Sequence, residues 1–124
     1  MFIGNDKFVA RSRSEGVLLS LWKLTDGQFL DGYSSQNKES STCLSTLKEL
    51  VALGTASGLA FVFNTAADKL SLMHTLNPQA NHGPVRVIRF NHECTVLVTG
   101  HDVGAVEVSR LLDSLRFLSL STVN

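Results

Sequence analysis

The chain has 124 residues, 44% of them hydrophobic and 18% charged, which excludes a disordered segment and allows one domain with a real core. Eleven basic residues offset eleven acidic ones and lie scattered, so no basic face argues for nucleic acid or an anionic membrane surface. No apolar run approaches the ~18 residues of a membrane span, and Asp6 and Lys7 interrupt the stretch where a signal peptide needs an apolar core; the expectation is a cytoplasmic chain with no direct membrane insertion.

In chain order, residues 8–11 predict a short strand, 12–16 (SRSEG) a turn, and 17–24 (VLLSLWKL) a longer strand closed by the turn residues 25–27 (TDG). Residues 28–33 allow a further strand. Residues 34–42 (SSQNKESST) contain no hydrophobic side chain and read as an exposed loop. Residues 42–48 (TCLSTLK) alternate and are read as a strand, although Leu44, Leu47 and Val51 also fit helical spacing. Residues 50–64 (LVALGTASGLAFVFN) are two β-type runs around a short Gly-bounded turn, the pattern of a β-hairpin. A turn at 65–68 leads to 69–76 (KLSLMHTL), whose alternation puts Leu70, Leu72, His74 and Leu76 on one strand face.

Residues 77–84 (NPQANHGP) predict a loop. Residues 85–90 (VRVIRF) predict a strand in which Ile88 breaks the alternation, and 91–93 the turn after it. Strands follow at 95–100, 104–111 and 116–121, with a turn at 113–114 and a tail, 122–124, without pattern. A helix over 111–120 through Leu111, Leu115 and Leu118 stays open as an alternative.

The hairpin at 50–64 has a relative at 96–108 (VLVTGHDVGAVEV) and a worn one at 8–22. The glycines that open the return strands are Gly16, Gly58 and Gly104, spaced 42 and 46 residues apart, close to the ~40–45 of a four-stranded propeller repeat. A single such sheet has two faces to bury, and stacking sheets radially buries both. Alternate apolar residues of the return strands are then expected to pack between sheets: Leu19, Leu21, Phe61, Phe63, Val106 and Val108, with Trp22 also read as core.

Over roughly residues 8–121 the chain resembles a segment of a WD40-type β-propeller. His82-Gly83-Pro84-Val85 resembles the loop His and valine that enter an inner strand, residues 90–108 the stretch from that strand through the tight turn, and Ser20-Leu21-Trp22-Lys23-Leu24 the Trp-containing close of a third strand. Departures are Lys23 for the usual Asp, Phe63-Asn64 and Ser109-Arg110 for Trp-Asp, and Asp102 one residue off the usual turn position. The hairpin at 50–64 and the stretch from Thr99 to Leu111 look most like the N-terminal propellers of Hermansky–Pudlak syndrome, tectonin-propeller and endosomal tethering-complex proteins.

The resemblance implies an all-β fold, a partial β-propeller of about three four-stranded antiparallel WD40-like blades: residues 1–33 (incomplete, without an obvious inner strand), 42–76 and 85–121. It also implies that His82 hydrogen-bonds through the Thr99 hydroxyl to Asp102 as a structural set. Propellers close with four to eight blades, so the chain reads as a fragment of a longer propeller; three blades pairing into six are the less favoured expectation. The implied function is a protein–protein interaction scaffold of an intracellular vesicle or endolysosomal trafficking protein. Its partners would be complex subunits or adaptors, and its location cytoplasmic and peripheral to endosomes or lysosome-related organelles. The reading is not of an enzyme; the competing expectations are an unrelated β-sandwich or barrel binding domain and, behind it, an enzyme.

Nothing in the sequence assigns catalytic, cofactor-binding or metal residues. The segment 54–58 (GTASG) lacks the Lys-Ser/Thr and helix of a phosphate loop. Ser, His82 and Asp102 come without a nucleophile elbow. His92, Glu93, Cys94 and the pair His101-Asp102 would need to converge to bind metal, and read more simply as turn residues. Cys43 and Cys94 read as half-buried reduced thiols, with a disulfide between them left open.

Overall fold

The computed structural model describes residues 1–12, 17–34, 39–77 and 82–111, and the backbone of 117–123. The first sheet joins β1 (Phe2–Ile3), β2 (Lys7–Arg11), β3 (Val17–Lys23) and β4 (Phe29–Ser34). The second joins β5 (Ser41–Leu47), β6 (Leu50–Thr55), β7 (Ala60–Asn64) and β8 (Ser71–Leu76). The third joins β9 (Val85–Phe90), β10 (Val96–His101), β11 (Val106–Leu111) and β12 (Phe117–Val123). Every sheet is an antiparallel meander in sequence order, and β5 lies against both β1 and β9. Three meanders with their first strands side by side form a partial β-propeller, which excludes the single sandwich or barrel.

The middle sheet explains its own sequence. Val51, Leu53, Phe61 and Phe63 pack with Ile3, Val9, Leu19 and Leu21 of the first sheet. Their alternates Ala52, Ala60 and Val62, with Leu76, pack with Val85, Ile88, Leu97 and Leu111 of the third. Side chains alternate between faces with period two, so a strand buried on both faces must be apolar throughout. That is why β6 and β7 read VAL and AFVF. Complete burial of one such large side chain contributes ~1.5–3 kcal/mol.

Polar groups stitch the seams between sheets. Lys7 Nζ donates to the Thr65 carbonyl at 2.9 Å and reaches Asp68 Oδ1 at 3.2 Å. Ser41 Oγ donates to the Ser12 carbonyl at 2.6 Å, and Thr42 Oγ1 to the Val85 carbonyl at 2.6 Å. Gly54 lets the second and third sheets close: a Cβ there would lie 2.6 Å from Cys43 Sγ and 2.8 Å from Val85.

Several expectations are corrected. The polar stretch 34–42 is not all exposed loop: Ser34 ends β4, β5 begins at Ser41, and Glu39 and Ser41 are buried because their side chains bond into neighbouring turns. The row Leu70, Leu72, His74, Leu76 does not share one face. A bulge between Val62 and Phe63 puts Leu72 opposite Phe63 and His74 opposite Val62, and Leu70 packs on the first-sheet side. In β9, Val85 and Ile88 are buried while Val87 is exposed, again through a bulge, opposite Gly100 and His101. Residues 42–47 are strand, not helix, and β12 runs on through Thr122 and Val123. The expected turn at 12–16, apart from Ser12, and that at 113–114 lie outside the described residues, as does Leu115 of the alternative helix; Leu111 and Leu118 of that helix are in β11 and β12.

Leu19, Leu21, Phe61 and Phe63 lie between the first and second sheets. Trp22, Val106 and Val108 do not lie between sheets. Trp22 pairs with Phe8 on the face of the first sheet turned away from the second. Val106 and Val108 pair with Gly100 and Val98 on the face of the third sheet turned away from Leu97 and the second. The physical reason is that a terminal sheet has a neighbour on only one face.

Candidate functional site

The tight turns of the second and third sheets are built alike. In the second, Thr55 N donates to the Leu59 carbonyl and Gly58 N to the Thr55 carbonyl; in the third, His101 N donates to the Ala105 carbonyl and Gly104 N to the His101 carbonyl. Gly58 and Gly104 have φ of 94° and 88°, a region that glycine enters without steric penalty. The segment entering each sheet binds the turn by the same backbone bond: Ala56 N to the Ser40 carbonyl, and Asp102 N to the Pro84 carbonyl, both 2.9 Å. Thr55 and His101 therefore hold equivalent places.

The side chains differ. In the second sheet Glu39, only 9% exposed, accepts from Ser57 Oγ at 2.7 Å and Ser57 N at 3.2 Å, and Thr55 Oγ1 accepts from Leu59 N at 3.1 Å. In the third, His101 takes the place expected of His82. Its Nε2 lies 3.1 Å from Thr99 Oγ1 and its Nδ1 3.2 Å from the Gly83 carbonyl. His82 instead packs edge-on against the His101 ring, centroids 5.4 Å apart. Asp102 points outward to Arg86, Oδ1 to Nε 2.9 Å, and this hydrogen bond raises the Arg86 pKa further above its ordinary value. The structure thus keeps Thr99 in a buried polar set and takes His82 and Asp102 out of the expected relay: Asp102, one residue off the usual turn position, bonds Arg86, and His101 stands beside Thr99.

At the same end of the three sheets lies a polar hollow of about 290 Å³ lined by Arg11, Ser41, Thr42 and Arg86. These residues come from the end of β2 and the starts of β5 and β9, so the hollow spans all three sheets. Arg11 Nη1 donates to the Ser41 carbonyl at 3.2 Å. The Ser41 and Thr42 hydroxyls already donate to the Ser12 and Val85 carbonyls, so the two guanidiniums are the groups that offer donors to carboxylates or exposed backbone carbonyls of a protein surface. Arg11, Arg86 and Glu39 belong to no motif in the sequence, and His101, which reads there as a turn residue, is a buried member of the polar set. No fixed spacing marks Glu39 or His101, because the matching bonds from entry segment to turn join Ser40 with Ala56 in the second sheet and Pro84 with Asp102 in the third, 16 and 18 residues apart.

On the open face of the first sheet, Trp22 stacks with Phe8 at 6.3 Å and meets Phe29 edge-on at 5.2 Å, while Trp22 Nε1 donates to Ser20 Oγ at 2.9 Å. Cys43 and Cys94 are separate half-buried thiols; the first faces Val85 and the second sits in the turn after β9. His92, Glu93 and Cys94 lie before β10 and His101 at its far end, a strand length of roughly 20 Å, so that grouping does not converge. No helix among the described residues is long and apolar enough to cross a membrane.

Residues 26–112 match the sequence model of the Vps8 beta-propeller. No curated protein matches the chain significantly. Among solved structures, the chain is similar to the computationally designed Ika4 protein, at 21% identity and a TM-score of 0.66, covering 88% of this chain and 62% of that one. A chain of the Mitotic Checkpoint Complex is similar at 13% identity and a TM-score of 0.71, covering 93% and 34%. The Cps50 (Swd1) beta-propeller domain of Myceliophteria thermophila is similar at 12% identity and a TM-score of 0.69, covering 94% and 41%. At these identities the likeness is one of fold, and the chain spans about three-fifths or less of each structure.

Proposed function

Because the chain belongs to the Vps8 beta-propeller family, we propose that it is a protein–protein interaction scaffold in endosomal or endolysosomal trafficking, with tethering-complex subunits or adaptors as partners. The observation that carries the reading is the family match over residues 26–112, which runs from the first sheet to the end of β11. The geometry supports it. Propeller sheets form a rigid platform whose loop end presents recognition groups, and here that end carries the hollow of Arg11, Ser41, Thr42 and Arg86. A partner presenting a carboxylate or a carbonyl edge as acceptor fits the two guanidiniums, and nothing in this role requires chemistry at the site. Location peripheral to endosomes follows from the same family reading.

The open faces support a ring of more than three sheets. Phe2 and Phe29 are exposed on the first, and Val87 on the third, apolar surface of the kind a further sheet covers.

The test is affinity capture of the tagged protein from cells, beside the double variant Arg11→Glu, Arg86→Glu. Tethering subunits or their adaptors should be recovered with the unaltered protein and depleted with the variant, while both melt alike. Recovery of chaperones alone would overturn the trafficking role. Equal recovery by both would overturn the hollow as the docking point.

A further inference from the structure

We propose that His82, His101 and Glu107 form a zinc site that fastens the segment entering the third sheet to β10 and β11. One potential ligand atom from each residue lies within 4.8 Å of the other two. His82 stands in the segment before β9, His101 ends β10, and Glu107 is on β11 directly opposite Thr99.

Three features prepare these groups for a cation. First, His101 is oriented as a metal-bound imidazole usually is. A carbonyl only accepts, so the contact with Gly83 places the proton on Nδ1 and leaves the Nε2 lone pair facing Thr99 Oγ1. A hydroxyl rotates readily, so Thr99 can release Nε2 to an ion. Second, Nδ1 of His82 is buried and has no hydrogen-bond partner, which is unusual for a buried polar atom. Third, Glu107 is 8% exposed and His101 6%; a buried carboxylate beside two imidazoles is strongly favoured by a divalent charge among them.

Two neutral imidazoles and a carboxylate suit Zn²⁺, at ligand distances of about 2.0–2.2 Å, with a water in the fourth position. Tetrahedral ligand atoms at those distances are roughly 3.3 Å apart, so the three groups must close by up to about 1.5 Å from the 4.8 Å limit to hold the ion. The ion would hold His82, and with it Gly83 and Pro84, onto the tight turn that carries Asp102. It would thereby set the position of Arg86 at the rim of the hollow. This inference stands on the cluster itself and not on the trafficking role.

The experiment strips the full chain with chelator, titrates it with zinc alone, and measures bound metal per chain, calorimetric affinity and the melting temperature. Cobalt substituted for zinc reports the ligand geometry through its visible spectrum. We expect one zinc per chain, a raised melting temperature and a tetrahedral cobalt spectrum. Glu107→Gln and His82→Ala should each weaken binding by more than about tenfold, and His92→Ala should leave it unchanged. Circular dichroism checks folding of each variant; if His82→Ala fails to fold, the near-isosteric Glu107→Gln decides alone. No stoichiometric zinc, or zinc binding indifferent to Glu107→Gln, overturns the proposal.

Discussion

Tyr33 meets Phe63 edge to face, ring centroids 4.8 Å apart, across the seam between the first two sheets. Phe61 touches the same tyrosine ring at 5.6 Å. The outermost strand of one sheet is thereby clamped to the third strand of the next by three aromatic rings. Phe63 is completely buried, so it fills its space with no room for solvent to replace it.

Phe63→Ala should therefore destabilise the chain by about 3–5 kcal/mol, from lost transfer energy and the cavity left behind. Phe63→Leu, which refills much of the volume, should lose clearly less. Urea denaturation measures both. A loss below about 1 kcal/mol for the alanine variant would mean that the ring does not sit in the seam.

Glu39 is the second test. Its carboxylate receives both the hydroxyl and the backbone N–H of Ser57 while nearly buried. Hydrogen bonds to a charged group contribute ~1.5–3 kcal/mol, so Glu39→Ala should cost about 2 kcal/mol and Ser57→Ala about 1 kcal/mol. Because the two share one network, the double variant should lose less than the sum of the singles. Strict additivity in a double-mutant cycle would show that the pair is not coupled.

The difference between Phe63 and Glu39 shows what the sequence displays and what it hides. Phe61 and Phe63 were legible because a strand buried on both faces must be apolar at every position, and the hairpin repeats. Glu39 was not legible: in a run of Ser, Gln, Asn and Lys, only three-dimensional proximity distinguishes it from solvated neighbours. The sequence points to His82 for the relay because His82-Gly83-Pro84-Val85 resembles the loop that enters an inner strand. His101, two residues beyond Thr99, is nearer in space to that hydroxyl. Trp22, Val106 and Val108 were misplaced for another reason. Period two tells which residues share a face, but not which face has a neighbour, and the terminal sheets have one neighbour each. The bulges in β8 and β9 shift parity by one residue, and no local residue choice announced them.

Gly54 and Gly104 should respond in opposite proportion to their surroundings. At Gly54 an added methyl collides with Cys43 Sγ and Val85, whereas at Gly104 it meets open space but at φ +88°. Gly54→Ala should cost the ~1–3 kcal/mol of overpacking, and Cys43→Ala, which removes the nearest colliding atom, should make that loss smaller. Gly104→Ala should cost on the order of 1–3 kcal/mol through backbone strain, and Cys43→Ala should leave that loss unchanged. Melting temperatures of the two glycine variants, each with and without Cys43→Ala, read against Cys43→Ala alone, decide: relief of both by Cys43→Ala, or of neither, contradicts the close approach at Gly54.

The thiols give the chain an alkaline limit. Burial pushes the Cys43 thiol up, against the opposing pull of the Thr42 hydroxyl, the Gly54 backbone and the charges of Arg11 and Arg89. Burial likewise raises Cys94, opposed by Lys48, and raises Tyr33. All three resist ionisation in the folded chain. Their contribution is intact below the unfolded thiol value, about 8.5. It is lost as pH rises through that value towards the folded one, because the unfolded chain then holds fewer protons than the native chain. Denaturation midpoints should be flat from about pH 7 to 8 and fall above about pH 9. Cys43→Ala should make the decline shallower whatever it does to the plateau. An unchanged slope in that variant would show that the Cys43 sulfur remains hydrated at the seam.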